Sequence, residues 1–460
     1  MNRSKIFRGS IIAIGLLVFS LALSCAAAVS RGGEYGTLTV AFGGERGLET
    51  GWPGNALPTF SSITIKVSAS DMSTVTSTVS GYSGSVSLKV PAGSDRLVQV
   101  TAVPATGAAP FFAQSYYGFA NFDVAEGGQA NVPIKLALGT SKIVLPSYTG
   151  NGGDLSFADS LTGPLSEGTI LDIMTESSDF ELDAYGRVYI AGNGIRQFTN
   201  MESALIGLTE SLTTDLAYDA SLKVLYAGYD MENLRRFDVS GESYIQLYVM
   251  SPDGYTYGNS YGSVIAAGNG FLYMTVFNQD QDKYGLAKMV VTPGTEDAQA
   301  TVAAFVTMES LGISSPLQVK DMTIKDDVLY ILVAEYDVYN NFFFSDNLVS
   351  RGKLIAVSTT TLTKLWEVGY SADTGLPTNP SKEFYGPTRF IGVAPKKLYI
   401  ADEGFRWEYT TQQGANPINV DRVIEVDLEE QAITGVGLED EAAFFLDFSQ
   451  YYIYSSDAEA

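Results

Sequence analysis

The 460-residue sequence predicts an all-β protein, in which an N-terminal β-sandwich is followed by a six-bladed β-propeller, with seven blades as the alternative. Three observations lead to this prediction. The chain holds 46 glycines, 27 tyrosines and 24 phenylalanines, which favour strands and tight turns. Short alternating strands recur early in the chain. A longer pattern of paired strands then repeats along the rest of the chain.

The N-terminus is predicted to be a targeting segment. The first eight residues carry three basic side chains and no acid, and an apolar run from 11 to 23 follows. That run is short for a transmembrane helix and typical of a signal peptide spanning 1–24. It ends at Leu21-Ala-Leu-Ser-Cys25, which resembles a bacterial lipoprotein signal. The resemblance implies that Cys25 is lipidated and begins the mature chain, with residues 25–34 as a tether; cleavage by an ordinary signal peptidase is the alternative.

Charge and lipidation together predict the location and exclude one class of partner. The formal net charge of −24 disfavours nucleic acid, whose phosphates are bound by clustered basic residues. It also disfavours a protein that lies flat on an anionic lipid surface, so lipid at Cys25 would hold the chain to a membrane. Ala26, rather than Asp, follows the cysteine. Resemblance to diderm lipoproteins therefore implies the cell envelope and, within it, the outer membrane.

Residues 35–140 are predicted to form the β-sandwich. Segments such as 62–68, 85–90 and 97–102 alternate apolar and polar residues, as strands with one buried face do. The turn at Pro91-Ala-Gly93, the Tyr116-Tyr-Gly118 step and the closing Ile134-Lys-Leu136 strand resemble the Ig-like or transthyretin-like modules of surface lipoproteins. The resemblance implies a spacer, with ligand binding as the alternative.

Residues 141–460 contain the repeat that predicts the propeller. Each copy has a first strand, a tight turn and a second strand with an apolar-Tyr-apolar core, and a third and fourth strand can follow. The repeat tyrosines are Tyr189, Tyr226, Tyr273, Tyr330 and Tyr399. Their spacing averages about 52 residues, so the region accommodates six copies. The sixth is expected to combine segments 444–454 and 143–155. Period and strand pattern resemble NHL-type propellers, and the tyrosines are expected to pack between blades.

One face of this propeller is predicted to bind a partner. The repeat grows through insertions between the second and third strands, at 277–284, 335–351 and 403–421, which are predicted to be loops. Crowded aromatic residues there and in the inter-blade segments predict a surface for a protein, peptide or glycan. The alternative is that these loops bury their own aromatics. The predicted contact residues are Tyr257, Tyr339, Phe342, Phe343, Phe344, Phe405, Trp407 and Tyr409.

The composition leaves little catalytic chemistry, so we expect a non-catalytic binding protein without a cofactor. There is no histidine and only one cysteine, which excludes a Ser-His-Asp triad and a Cys/His zinc site. The alternative is a calcium-assisted hydrolase or lyase with carboxylates at the propeller channel, by resemblance to lactonase-like propellers, with Glu335 and Glu403 as candidates. Alternating oxygen ligands at Asn278, Asp280 and Asp282 are weak candidates for calcium.

Overall fold

The computed structural model describes the protein in fourteen segments and, within them, contains strands and two short 3-10 turns, Glu309–Leu311 and Pro316–Gln318. No helix in the described segments is long and apolar enough to span a membrane. Cys25 and the whole of 1–34 lie outside the described residues. The described segments are 35–41, 58–82, 85–149, 152–169, 179–192, 194–198, 203–208, 213–229, 234–239, 245–257, 264–338, 348–369, 381–410 and 414–438.

The first eight strands form two sheets. One has five antiparallel strands in the order β3-β2-β5-β6-β8, and the other has the order β4-β1-β7 with β1 and β7 parallel. The strands are β1 (Tyr35–Ala41), β2 (Phe60–Ala69), β3 (Met72–Tyr82), β4 (Ser85–Pro91), β5 (Gly93–Pro104), β6 (Ala113–Val124), β7 (Gln129–Pro133) and β8 (Ala137–Ser141).

Both sheets contribute to one hydrophobic cluster, and the alternation seen in the sequence explains why. In β2, Ile63, Ile65 and Val67 are fully buried, while Thr64 between them faces outward and hydrogen-bonds Thr78 across the pair at 3.0 Å. Successive strand residues point to opposite faces, so each strand offers one apolar face to the shared core.

Twenty-four further strands follow, most of them in antiparallel sheets of three or four. They are β9 (Ile143–Thr149), β10 (Gly152–Ala158), β11 (Ser166–Thr169), β12 (Asp179–Leu182), β13 (Val188–Gly192), β14 (Gly194–Phe198), β15 (Ser203–Leu208), β16 (Thr213–Asp219), β17 (Val224–Tyr229), β18 (Leu234–Asp238), β19 (Ile245–Met250), β20 (Tyr255–Tyr257), β21 (Ile265–Gly268), β22 (Phe271–Asn278), β23 (Lys283–Pro293), β24 (Asp297–Thr307), β25 (Val319–Lys325), β26 (Val328–Val338), β27 (Leu348–Ser358), β28 (Lys364–Gly369), β29 (Pro387–Ala394), β30 (Lys397–Thr410), β31 (Gly414–Asp427) and β32 (Ala432–Gly437).

These strands are arranged like propeller blades. Sheets β12–β15, β25–β28 and β29–β32 are each four-stranded meanders, and β9–β11 has three strands within the described residues. The first strands contact one another in succession: β12 with β16, β16 with β21, β21 with β25 and β25 with β29. First strands of neighbouring sheets therefore line a common centre, which we call the channel.

Two neighbouring sheets are joined at their outer strands. The last strand of the β16–β19 meander, β19, pairs in parallel with β24, so that Tyr248 lies opposite Asp297 and Met250 opposite Gln299. The meander and the β21–β24 sheet thus become one nine-stranded sheet. Because this pairing satisfies backbone groups on both strands, neither presents an open edge along the paired stretch.

The repeat tyrosines pack between neighbouring sheets, as the sequence predicts. Tyr189, Tyr226, Tyr273 and Tyr330 are at most 4% exposed, and Tyr399 is half-buried. Tyr189 stacks on Tyr218 of the next sheet, with ring centroids 6.0 Å apart. Each ring removes a large apolar area from water where two sheets meet.

The predicted loops between second and third strands are instead long hairpins. The register continues through Phe277 opposite Tyr284 in β22–β23 and through Val338 opposite Leu348 in β26–β27. In β30–β31 it reaches Thr410 opposite Gly414. The loop prediction was therefore wrong for these described stretches. In β30 the cause is visible in the alternation Phe405-Arg-Trp-Glu-Tyr409, which favours an extended strand.

The first eight strands contact the rest of the chain at one end of the channel. Leu138 N in β8 donates to Ala184 O in the turn after β12, at 2.7 Å. Tyr116 Oη donates to Tyr185 O at 2.8 Å, and Val393 N donates to Ser141 Oγ at 3.0 Å. Two of these bonds reach the turn after β12 and the third reaches the last residues of β29, so the N-terminal strands contact the end of the channel where the first strands finish.

Candidate functional site

One register position on the first strands brings ionisable side chains together. In each sheet, we consider the first-strand residue that pairs with the residue two positions after the repeat tyrosine. In successive sheets these residues are Asp179, Asp215, Val264, Asp321 and Arg389. The three aspartates are at most 9% exposed. Because the first strands line the channel, these side chains face a common centre, and we call the three aspartates the carboxylate ring.

Each aspartate of the ring holds the neighbouring sheet by a backbone hydrogen bond. The donor is a backbone N–H group on the next first strand. In each case it belongs to the residue that directly follows the ring position of that strand. The three bonds run from Leu216 N to Asp179 Oδ2 at 2.7 Å, from Ile265 N to Asp215 Oδ2 at 2.6 Å, and from Phe390 N to Asp321 Oδ2 at 2.7 Å. The ring therefore links successive sheets at the channel, and these backbone donors are satisfied although they are buried.

The remaining ring oxygens are also engaged. Arg389 Nη1 donates to Asp179 Oδ1 at 2.8 Å, which closes an ion pair between β29 and β12. Asp215 and Asp321 accept from the N–H groups of Leu216 and Met322 through Oδ1. Both oxygens of each ring carboxylate thus accept hydrogen bonds from other groups of the chain.

Burial and the close approach of the ring carboxyls favour the neutral forms of Asp215 and Asp321. Burial and the charge of Asp179 raise the pKa of Asp215 well above its usual value, and Asp215 also hydrogen-bonds Asp179. Burial and the same neighbour raise the pKa of Asp321. Like charges in a buried cluster disfavour simultaneous ionisation, so Asp215 and Asp321 retain protons at a pH where free aspartates have lost theirs.

A cavity of about 250 Å³ lies at the opposite end of the first strands. Its walls include Glu181, Tyr218, Thr323 and Lys325, together with Leu138 of β8. Burial, followed by the charges of Asp179 and Asp321, raises the pKa of Glu181 well above its usual value. Burial lowers the pKa of Lys325.

The predicted contact residues fall into three groups. Tyr257 is 3% exposed and donates its hydroxyl to Met250 O at 2.7 Å, so its ring belongs to the core of its sheet. Phe405, Trp407 and Tyr409 belong to β30, within the β30–β31 hairpin. The other four lie outside the described residues: Tyr339, Phe342, Phe343 and Phe344.

The weak calcium candidates lie in the turn between β22 and β23. Asn278 is buried, and both ends of its amide are used: Nδ2 donates to Tyr255 Oη at 3.1 Å and Oδ1 accepts from Gln281 N at 3.0 Å. Asp280 and Asp282 are exposed in the same turn. Among the described residues, no three acids lie in an arrangement suited to a metal ion.

The acids that meet in the channel are not those expected from the sequence. Glu335 and Glu403 belong to second strands, and Glu403 accepts from Thr388 Oγ1 at 3.2 Å, beside the buried pair of Asp402 and Arg422. The ring was missed although its signal is local. An aspartate stands directly before the first-strand segments that open at 180, 216 and 322.

Comparison with known proteins gives partial matches. The family described as TdpA C-terminal domain matches residues 302–451, about a third of the chain. No curated protein matches. Among solved structures, the chain is similar to TolB from Acinetobacter baumannii, at 9% identity and a TM-score of 0.38, over 76% of this chain and 78% of that one. It is also similar to a protein of unknown function from Bacteroides thetaiotaomicron, at 12% identity and a TM-score of 0.39, over 74% and 88%.

The fold and the site define a class of protein. The chain is an all-β protein with propeller-like sheets around a channel that carries a carboxylate ring. The family match spans the sheets β25–β28 and β29–β32, and with them Asp321 and Arg389 of the channel.

Proposed function

We propose that this protein is a non-catalytic binding lipoprotein of the bacterial cell envelope, which recognises a protein, peptide or glycan through the face that carries its long hairpins. The N-terminal strands form a β-sandwich that separates a six-bladed propeller from the membrane. Lipid at Cys25 anchors the protein in the outer membrane. The observation that carries the proposal is the strong asymmetry between the two faces.

The hairpin face is opposite to the face covered by the N-terminal strands. In an antiparallel pair, the start of the first strand lies beside the end of the second, where the hairpin to the third strand begins. The carboxylate ring, at the start of the first strands, is therefore on the hairpin side. The N-terminal strands bind at the other side, through Leu138 and Tyr116. The hairpin side is therefore the side on which a macromolecular partner can bind.

The hairpins differ in length in a way that favours recognition over simple packing. β13 has 5 residues, whereas β30 and β31 have 14 each. Strands of 14 residues extend about 46 Å, far beyond what a blade needs. The sequence of β30 includes Phe405, Trp407 and Tyr409. Aromatic residues are enriched among the anchors of protein interfaces.

The contacts of the carboxylate ring favour binding over catalysis. Three acids converge in the channel, as a carboxylate enzyme would need, but their oxygens accept backbone N–H groups and the Arg389 guanidinium. Carboxylates used in this way hold sheets together and have few lone pairs left for a metal or substrate. This supports a structural role for the ring.

Six blades are supported by packing between the first and last sheets. One hydrophobic cluster joins Val144 of β9, Phe180 of β12 and Ile391 of β29. Gly437 of β32 lies so close to Leu161 that an added Cβ would stand 2.3 Å from its carbonyl oxygen. The β9–β11 sheet therefore lies between the sheets at either end of the series, where a sixth blade would close the ring.

Photo-crosslinking in cells tests the binding face. A photoreactive amino acid at Trp407 should crosslink a partner in envelope preparations. The same residue at Leu222, which is 43% exposed in the turn after β16, is the matched control on the opposite side. Crosslinks from Leu222 but not from Trp407 would contradict the proposal. Metabolic palmitate labelling of the wild type and Cys25→Ala tests the anchor, and equal labelling would rule it out.

A further inference from the structure

The cavity at the covered end of the channel contains two opposite charges that do not neutralise each other. Glu181 comes from the middle of β12 and Lys325 from the end of β25, on sheets that are not neighbours. Both side chains are half-buried. Across the part of the chain that the structure describes, neither forms an ion pair, and Glu181 accepts one backbone hydrogen bond, from Tyr218.

This arrangement is unfavourable in free energy, and a bound ligand of suitable charge would make it more favourable. A charge held away from water without a counter-ion is unfavourable, and the protein meets this by shifting protons. Burial moves the pKa of Glu181 up and the pKa of Lys325 down. Glu181 and Lys325 thus border one space of about 250 Å³ without an ion pair, although the charge of the exposed Asp326 in the same wall acts on Lys325. Elsewhere in the channel the buried acids have partners, as Asp179 has in Arg389.

Two hydroxyl-bearing residues, Tyr218 and Thr323, belong to the same wall. Tyr218 is 6% exposed, and its Oη is buried beside the Arg187 guanidinium, with which it interacts. Thr323 is half-buried, so its hydroxyl is the more accessible of the two from the cavity.

The rest of the wall is mainly aliphatic, with two aspartates: Asp183, which pairs with Arg187, and Asp326, which is exposed in the turn after β25. Ala217, Ala266 and Leu138 lie between the polar groups. Small ligand sites commonly combine such walls with a few placed polar groups. The occupant should therefore be small, partly aliphatic and able to satisfy an acid and an amine at once.

We propose that this cavity binds a small zwitterion, an amino acid with an aliphatic side chain, whose ammonium group pairs with Glu181 and whose carboxylate pairs with Lys325. The carboxylate of the ligand accepts a hydrogen bond from Thr323 Oγ1 as well. A simple anion would leave Glu181 unpaired near Asp179 and Asp321, and a simple cation would leave Lys325 without a counter-charge from the ligand. Only a molecule with both charges pairs both groups.

Calorimetric titration and thermal unfolding of the full-length protein test this site. The probes are L-alanine, L-leucine and 4-aminobutyrate, with acetate and methylammonium as analogues that carry one charge each. At least one zwitterion should bind and raise the Tm with concentration, whereas each single-charge analogue should bind at least about tenfold more weakly. The absence of binding by all three zwitterions would overturn the proposal, and so would equal binding by acetate or methylammonium.

Variants then assign the two charges. Glu181→Gln and Lys325→Met should each weaken binding of the same zwitterion by about ten- to hundredfold, the effect of losing one charge-assisted contact. Lys320→Met is the matched control: Lys320 lies on the same strand, and burial lowers its pKa too, but it does not line the cavity. Unchanged affinity in both cavity variants, or an equal loss in Lys320→Met, would contradict the assignment. The wild-type panel decides the proposal even where a variant fails to fold.

Discussion

The two ends of the channel treat buried charge in opposite ways. At the hairpin end, Asp179, Asp215 and Asp321 accept backbone N–H groups from neighbouring sheets, and Arg389 pairs with Asp179. At the covered end, Glu181 and Lys325 face a cavity without ion-pair partners among the described residues. The first set contributes to folding, and the second is available to a ligand. Deleting a side chain that links sheets should therefore destabilise the protein at the hairpin end, whereas removing a charge at the covered end should leave the protein equally or more stable.

The largest effect is expected from Asp179→Ala. This change removes the acceptor for Leu216 N and leaves the Arg389 guanidinium without its carboxylate. Breaking a buried pair from one side should lower the free energy of unfolding by about 3 kcal/mol, which urea titration can measure. Asp159→Ala is the control, because Asp159 is 73% exposed and pairs with Lys142 at the surface. Its cost should stay below about 1 kcal/mol; comparable losses in both variants would remove the distinction between the ring and surface pairs.

Asp215→Asn should stabilise the protein at neutral pH. The raised pKa of Asp215 means that the native state binds a proton which the unfolded state has already released. Stability is therefore full below the unfolded pKa and falls as pH rises towards the folded pKa. Asparagine mimics the neutral carboxyl, still accepts from Ile265 N and can donate to Asp179.

We expect a gain of about 1 kcal/mol or more at pH 7.5 and little change near pH 3.5, where aspartate is mostly protonated in both states. Unfolding titrations of the wild type and Asp215→Asn at both pH values measure this. If Asp215→Asn instead lowered the free energy of unfolding by the same amount at pH 7.5 and at pH 3.5, Asp215 would hold no such proton in the native state.

Local patterns predicted the strands, but not what meets in the channel. Alternation located β2, β4 and β5, and the Tyr repeat located five second strands together with their packing. β3 was missed because Met72–Tyr82 is rich in serine and threonine, and its valines are not fully buried. Phe405-Arg-Trp-Glu-Tyr409 has the alternation of a strand. The long segment 403–421 that contains it was interpreted as an insertion and therefore as a loop.

The candidate site was harder to predict because it depends on register between distant strands. Asp179 and Arg389 are 210 positions apart and meet only because β12 and β29 both line the channel. The aspartate before each first strand is visible in the sequence, yet an isolated acid at a strand end is usually solvated. Glu181 and Lys325 share no sequence pattern, so their cavity follows from the fold alone.

Lys325→Met tests the covered end from the opposite direction. Since burial lowers the pKa of Lys325, its charged form costs stability until pH approaches the folded pKa. Methionine has a similar length and no charge, so ligand-free protein should gain about 1 kcal/mol at pH 7, measured by urea titration. Lys320→Met is again the control for desolvation without the cavity. A loss as large as that of Asp179→Ala would mean that Lys325 serves the fold as the ring does.

Glu181→Gln should have the smallest effect on stability. Glu181 is half-buried beside the cavity, and its raised pKa means that its carboxyl is already neutral over part of the pH range in which free glutamate is charged. Glutamine replaces that neutral form, so the free energy of unfolding without ligand should stay within about 0.5 kcal/mol at pH 5 and rise slightly at pH 8. Thermal unfolding at the two pH values measures the difference. A large decrease in the free energy of unfolding at pH 5 would mean that Glu181 stabilises the fold, as the ring aspartates do. A stable variant that no longer binds zwitterions would mean that Glu181 serves the ligand, as the difference between the two ends of the channel implies.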